Sequence, residues 1–579
     1  MEQRLPGELL SLELVWKRRV LLVQAEVASE TARSVLLREL AAIPGAPLLE
    51  DVITVTGFFE PATDDEWFLS CQPAPIDEVA VYPERSSLHD RQERAIVRHP
   101  TLAAVTPLVA GAEIELSVDL LLEAMDSSSP GLELAVLPDG WEELVVDVIA
   151  TSASFVRPSQ GRIHVFENGG SRGARLRTVL RHDLSSGEGV KVSLTFFEND
   201  RHCGDWNTNV GAVVRAPGDD RGHDVSPSPR MALGRSTEAP VLTVIIRQIE
   251  QGRLDWLWQL RRDINVGLTS ITGTMQMDDP AEYGRRLIQE CPLMPAATVK
   301  RRMTSIGEDV WSHTPADFKA TYSALRTQLG PEFTIQLLLD EHSVPWELMV
   351  PDGADGRPLY LTHPIARWPV ANGLDRPGCL PSGSTCSFVP EYADNGTLPA
   401  ARCEGVWLET NLGAVRCKPS MDKFLALMEC TDAPEQVAMV HFAGHGRAAT
   451  FHETAGLLME DGWVLTADLN STTTRLGRRD RSMVVLNACE MANVNSELRW
   501  VSGWAPHLVH HGFGAVVAPL WRVQDEAARD VVIAGISRIY CDGEGLGAAF
   551  AQARSTYANA SSAPYAFVTY GDVMAKMCH

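Results

Sequence analysis

The chain has 579 residues, 45% of them hydrophobic and 22% charged, which is enough for several domains with cores of their own at about 100–200 residues each. Its 75 acidic against 51 basic residues give a formal net charge of -24, which argues against direct nucleic-acid binding, because gripping a phosphate backbone needs Lys/Arg surfaces. The 11 cysteines are dispersed, odd in number and without a C-x-x-C pair, so neither a disulfide framework nor a structural zinc site is expected.

Residues 1–105 mix short apolar runs (VLLVQAEV, EDVITVTGFF, DEVAVY) with a helix-like stretch at 30–42, a mixed α/β or β-rich pattern. The first residues, MEQRLPGELLSLELVWKRRV, lack the apolar core of a secretory signal, and no run approaches the roughly 20 apolar residues that span a bilayer. A cytoplasmic protein with no membrane partner is therefore expected. Over 106–217, EIELSVDLLL, LELAVL, ELVVDVIATSASFV, GRIHVFEN, ARLRTVL, VKVSLTFFEN and NTNVGAVV alternate apolar and polar residues between turn signals. That pattern predicts an antiparallel β-sandwich of immunoglobulin-like size, although no Cys-Trp-Cys arrangement supports a true immunoglobulin domain. Residues 218–240, rich in Pro, Gly, Ser and charge, read as a linker. Residues 241–330 read as a helical connector, ending in a helix over 311–329 that Gly330 and Pro331 stop.

From 331 to 579 the pattern changes to short, nearly continuous apolar runs: FTIQLLL, TCSFVP, VAMVHFAG, SMVVLNAC and GAVVAPLW. Among them lie helix-like stretches such as LPAARCEGVWLETN, SMDKFLALMEC and DEAARDVVIAGISRIY. Strands buried on both faces with helices between them predict an α/β domain on a mostly parallel sheet. In such sheets functional groups gather at the carboxyl ends of the strands.

Two strand ends carry chemistry. His445 follows the run VAMVHFAG, and Cys489, 44 residues later, follows SMVVLNA. A thiol of pKa about 8.5 is only a few per cent thiolate at neutral pH, so it needs a base to become a nucleophile. An imidazole takes that proton and later returns it to a leaving amine. The oxyanion formed on the way needs backbone N–H donors, and the amides of Gly446 and Cys489 are the natural pair. Gly446 is expected to let the chain turn sharply beside His445. A lone cysteine after an apolar run is ordinarily a small buried hydrophobe, and His441 is expected to be a structural histidine. His441 and His445 are four apart, but the glutamate of H-E-x-x-H is missing and Gly444 and Gly446 argue against a helix, so no metal is expected. No cofactor is expected either.

The segment HFAGHG at 441–446, with the small residue before Cys489, resembles the CHAT family of caspase-like peptidases, relatives of caspases and separase. The His-to-Cys spacing fits a caspase-like order, in which the His lies about 50 residues upstream. VPWELMVPDG at 344–353 resembles the family's opening strand and hairpin, and GLLMEDGWVLTADL at 456–469 resembles the hairpin between His and Cys. GAVVAPLWRVQDEAA at 514–528 and YAFVTYGD at 565–572 resemble the strand after the nucleophile and the closing strand. The resemblance implies an intracellular cysteine endopeptidase acting on a protein substrate, with His445 and Cys489 as its dyad, and a place in bacterial immunity or cell death. It also implies that the N-terminal half senses a signal or binds an activating partner. It implies that Trp521, Arg522 and Asp525 line the pocket for the residue before the scissile bond; plain helix capping by Asp525 is the alternative. The basic island TRLGRRDR at 474–481 is expected to be a solvated loop, with a self-cleavage site as the alternative. A catalytically silent adaptor is the competing function; a scaffold has no chemical need for His445, Gly446 and Cys489 together.

Overall fold

The computed structural model describes residues 9–17, 20–27, 48–55, 96–122, 141–214 except 168, 231–233, and 238–578 except 251, 269, 371–375, 393–397, 449–453, 489–502 and 560. The helix-like stretch at 30–42 lies outside them. Residues 1–78 with 391–399 form one compact unit, and 79–390 with 400–579 form another. In the first, Leu9–Lys17, Val20–Val27 and Leu48–Val55 make a three-stranded sheet.

The second unit begins with two antiparallel sheets. One has the order Arg201–Ala212, Gly189–Glu198, Glu143–Thr151, Ser159–Phe166, Ser171–Arg172; the other has the order Met231–Leu233, Ile96–Ala104, Glu113–Leu121, Ala174–Val179. Along Glu113–Leu121 every second residue is buried, as a strand with one face inward requires. Leu116, Val118 and Leu176 of one sheet share a single apolar core with Val148, Val165, Leu194 and Phe196 of the other.

The rest of the unit is built on a mixed sheet of 11 strands among the described residues. In chain order these are β1 (Leu242–Glu250), β2 (Arg253–Leu260), β3 (Thr272–Gln276), β4 (Ile335–Leu339), β5 (Ile365–Pro369), β6 (Ser384–Phe388), β7 (Val415–Arg416), β8 (Val437–Ala443), β9 (Met483–Asn487), β10 (Ala515–Pro519) and β11 (Phe567–Tyr570). Their spatial order is β3-β2-β1-β4-β5-β11-β10-β9-β8-β6-β7. The ladder from β10 through β9, β8 and β6 to β7 is parallel, and β11 runs antiparallel to β10. Every residue of β4, β8, β9 and β10 is buried, which is why their sequences read as unbroken apolar runs. Among the described residues, the helices of seven or more residues are α1 (Pro280–Ile288), α2 (Ala296–His313), α3 (Ala316–Leu329), α4 (Pro399–Leu412), α5 (Met421–Met428), α6 (Trp504–His510), α7 (Asp525–Tyr540) and α8 (Leu546–Tyr557).

Four expectations are corrected. Residues 241–330 are not a helical connector throughout: VLTVIIRQIE and RLDWLWQL pair as β1 and β2, and β1 runs parallel to β4 in the large sheet. The helix expected at 311–329 is broken at Thr314–Pro315 into the end of α2 and all of α3, since proline supplies no N–H to continue the ladder. Gly330, at φ 88, does close α3. The segment 344–353, whose resemblance implied a strand and hairpin, instead holds a buried 3₁₀ turn, Trp346–Leu348, whose Glu347 forms a two-pronged ion pair with Arg367 of β5. Finally, Cys379 and Cys578 form a disulfide across 199 residues. No short motif announces it; the parallel pairing of Cys379–Leu380 with Lys576–Met577 brings the two together.

Buried ion pairs fasten the two-sheet region to the large sheet. Asp205 accepts from Arg247 of β1, from the Thr195 hydroxyl at 2.8 Å and from His202 Nε2 at 2.6 Å. Asp572, just past β11, takes both Arg201 and Arg376. Among the described residues, no helix is long and apolar enough to cross a membrane.

Candidate active site at the carboxyl ends of β8 and β9

β8 and β9 lie side by side in parallel, with Met439 opposite Met483 and Ala443 opposite Asn487. The chain leaves both strands at the same edge. Gly444 donates its N–H to the Asn487 carbonyl at 3.1 Å, carrying the ladder one residue further. His445 follows, half-buried, two residues past the Ala443–Asn487 pair. Cys489 stands two residues past the same pair in sequence and lies outside the described residues; its neighbour Ala488 is buried.

Gly446 does not turn the chain sharply. It opens a short strand, Gly446–Arg447, that pairs antiparallel with Gly456–Met459, itself hairpinned to Gly462–Leu465. The Leu458 N–H donates to the His445 carbonyl at 2.9 Å, so Gly446 and Leu457 face each other at a non-hydrogen-bonded position of the ladder. The Gly446 N–H therefore points away from the hairpin. Arg447 lies over the Trp463 ring, 4.5 Å from its centroid, which pins the start of the hairpin.

His441 is structurally engaged, as its place within the apolar run predicts. Nε2 lies 2.5 Å from Glu404 Oε1 of α4 and Nδ1 lies 2.9 Å from the Ser387 hydroxyl of β6, so both ring nitrogens are occupied. Asn487 Nδ2 donates to the other Glu404 oxygen at 2.7 Å. Sequence reasoning missed Glu404 and Asn487. The available signal was a glutamate set among apolar residues in AARCEGVWL.

Trp521, Arg522 and Asp525 follow β10, and the structure gives them three different settings. Trp521 is buried in the core, Arg522 is exposed, and the Asp525 carboxylate is bound by backbone amides. Its two oxygens accept the N–H groups of Ala400 and Ala401 at 2.8 and 3.1 Å. Asp525 is the first residue of α7, yet it caps α4; Gln524 holds the N-cap position of α7 without a side-chain bond. Burial pushes the Asp525 carboxyl up to about 6; the two amides oppose that rise and nearby Glu404 adds to it. The basic island is not a loop throughout. Leu476–Asp480 form a short helix, Arg479 pairs with Asp480, and Asp480 accepts the Val437 N–H at 2.8 Å where β8 starts.

An α/β domain that brings His445 and the end of the strand preceding Cys489 to one sheet edge is the class of molecule these observations define. Residues 323–571 match the CHAT domain, a caspase-like cysteine peptidase family. The match begins inside α3, so β1, β2 and β3 extend the sheet beyond it. No curated protein matches the sequence. Among solved structures, the chain is similar to two crystal structures of the Saccharomyces cerevisiae separase–securin complex, at 3.0 and 2.6 Å resolution. Each shares 11% identity and covers 58% of this chain, with TM-scores of 0.39 and 0.37. This chain spans only 30% of the length of the chain it matches in either structure.

Proposed function

We propose that the protein is a cysteine endopeptidase, with His445 as general base and Cys489 as nucleophile. The observation that carries the reading is the register of β8 and β9, in which the two residues follow one paired position by the same two steps. On this reading His445 takes the thiol proton and the Cys489 sulfur attacks the scissile carbonyl carbon. The C–S bond forms as the carbonyl π electrons move to oxygen. The Gly446 and Cys489 amides hold that oxyanion, and the outward direction of the Gly446 N–H supports its part. Collapse breaks the C–N bond while His445 returns its proton to the leaving amine. Water, deprotonated by His445, then hydrolyses the thioester and frees the sulfur.

The stretch after β10 that holds Trp521 and Arg522 flanks the substrate groove on this reading, while the Asp525 carboxylate is occupied at α4. The two-sheet region is read as the β-sandwich that receives an activating signal or partner, since buried ion pairs tie it to the large sheet. The chain acts in the cytoplasm and on a protein substrate, within an immune or cell-death response. The test is a cleavage screen with wild-type, Cys489→Ala and His445→Ala protein, joined to capture of host proteins on the Cys489→Ala variant. Cleavage present in wild type and absent from Cys489→Ala is expected; a Cys489→Ala protein that still cleaves refutes the assignment.

A further inference from the structure

A closed polar chain lies beneath the two strand ends. Ser387 of β6, His441 of β8 and Glu404 of α4 are fully buried, and Asn487 of β9 is 7% exposed. The links are Ser387 to His441, 2.9 Å; His441 to Glu404, 2.5 Å; and Asn487 to Glu404, 2.7 Å. An ionised carboxylate only accepts, so here one oxygen takes the His441 N–H and the other takes the Asn487 amide. Three adjacent strands and a helix are thereby joined through a single carboxyl group.

The position of this chain ties it to the site. Asn487 is held to β8 twice: its carbonyl accepts the Gly444 N–H, one residue before His445, and its side chain reaches Glu404 and, through it, His441. Apolar side chains of similar volume would join the same elements without desolvating ionisable groups, so packing alone does not call for this arrangement. Asp525 supports it from the side by fixing the first turn of α4, the helix that carries Glu404. Among the described residues, the charged or titratable groups against Glu404 include His441 from β8 and Asp525 from α7, the latter with Arg529 beside it.

We propose that Glu404 is a positioning residue. It locks the end of β8 to the end of β9 through His441 and Asn487, and so fixes the spacing of the two strand ends that His445 and Cys489 follow in sequence. This rests on the reading of His445 and Cys489 as base and nucleophile.

The test needs no substrate. Full-length wild-type, His445→Ala, Glu404→Ala, Glu404→Gln and Asn487→Ala proteins are alkylated with iodoacetamide from pH 5 to 10, and modification of Cys489 is timed by peptide mass spectrometry. Wild type should show its inflection well below the ordinary thiol value of about 8.5, and His445→Ala should return to it. Glu404→Ala and Asn487→Ala should alkylate about tenfold more slowly than wild type at pH 7, with profiles displaced toward that of His445→Ala. Glutamine can still accept from Asn487 and can donate to His441 if the imidazole shifts its proton to Nδ1, so Glu404→Gln should recover most of the loss. A merely structural role would lower the melting temperature without moving the profile of the folded protein. Should Glu404→Ala fold poorly, Asn487→Ala, which removes one bond and leaves the His441–Glu404 pair intact, carries the test. Wild-type profiles in the Glu404 and Asn487 variants, beside a displaced His445→Ala profile, overturn the positioning role alone. A His445→Ala profile identical to wild type overturns the dyad, and the positioning role with it.

Discussion

Removing Asp205 should separate the two-sheet region energetically from the large sheet. Its carboxylate and the Arg247 guanidinium are 2% and 6% exposed, so Asp205→Ala leaves a buried cation without its hydrogen-bonded counter-charge, with Asp340 still in electrostatic reach. It also removes the acceptor of Thr195 and of His202. Breaking a buried pair from one side costs about 3–5 kcal/mol, most of it the desolvation of the orphaned charge. Replacing both partners, as in Asp205→Leu with Arg247→Leu, removes that orphan and should recover most of the loss. Urea unfolding of the full-length protein, followed by tryptophan fluorescence, measures both. Acid offers an independent check. Burial raises the Asp205 carboxyl, but Arg247 and His202 outweigh it and hold the group well below the usual carboxylate range. The folded state therefore binds this proton less readily than the unfolded state. The stability from Asp205 is complete above the unfolded value of about 3.9 and is lost as pH falls through the lower folded value. A loss under about 1 kcal/mol in Asp205→Ala, or a double variant no more stable than the single one, would refute the reasoning.

Four further outcomes are expected. His445→Ala should cut peptide cleavage at least about a hundredfold, and His441→Ala should cut it far less; the reverse ranking in a steady-state assay removes His445 as base. Cleavage should survive EDTA and serine-directed reagents but fall to iodoacetamide, and zinc-restored activity after chelation would contradict this. Asp525→Asn should leave the preference for the residue before the cut unchanged in a peptide library, because the carboxylate serves α4; a selective loss of Arg/Lys cleavage would return Asp525 to the substrate pocket. The raised Asp525 carboxyl should make wild-type stability fall as pH rises from about 4 to about 6, the window in which the folded state holds its proton more tightly than the unfolded one. Asp525→Asn should flatten that part of the urea-derived stability profile.

Much of the large sheet was legible because strands buried on both faces leave unbroken apolar runs, and VAMVHFA and MVVLN read that way. The helix DEAARDVVIAGISRIY matches α7 residue for residue. β1 and β2 do not show in the sequence because their apolar runs abut the helical pattern that follows; pairing of Leu242 with both Leu260 and Ile335 is a long-range fact that no local window holds. His445 stood out because a glycine follows it at the end of an apolar run. Glu404 did not, because its partners are 37 and 83 residues away and nothing in the local sequence of α4 marks them. Asp525 misled for the same reason. A capping residue is sought just ahead of its own helix, and this one caps a helix that begins more than a hundred residues earlier.

The Cys379–Cys578 bond makes a covalent ring of most of the CHAT domain. His445, the basic island and Cys489 all lie on the ring, whereas Glu347 and the two-sheet region lie on the tail that leads into it. A single cut anywhere within the ring, whether by a second protease or by another copy of this protein, opens it without releasing a fragment. The nicked protein would migrate as one band until reductant is added and then as two. Any cleavage within the ring and dissociation of the pieces would therefore be separate events, the first needing one hydrolysis and the second a change in thiol chemistry.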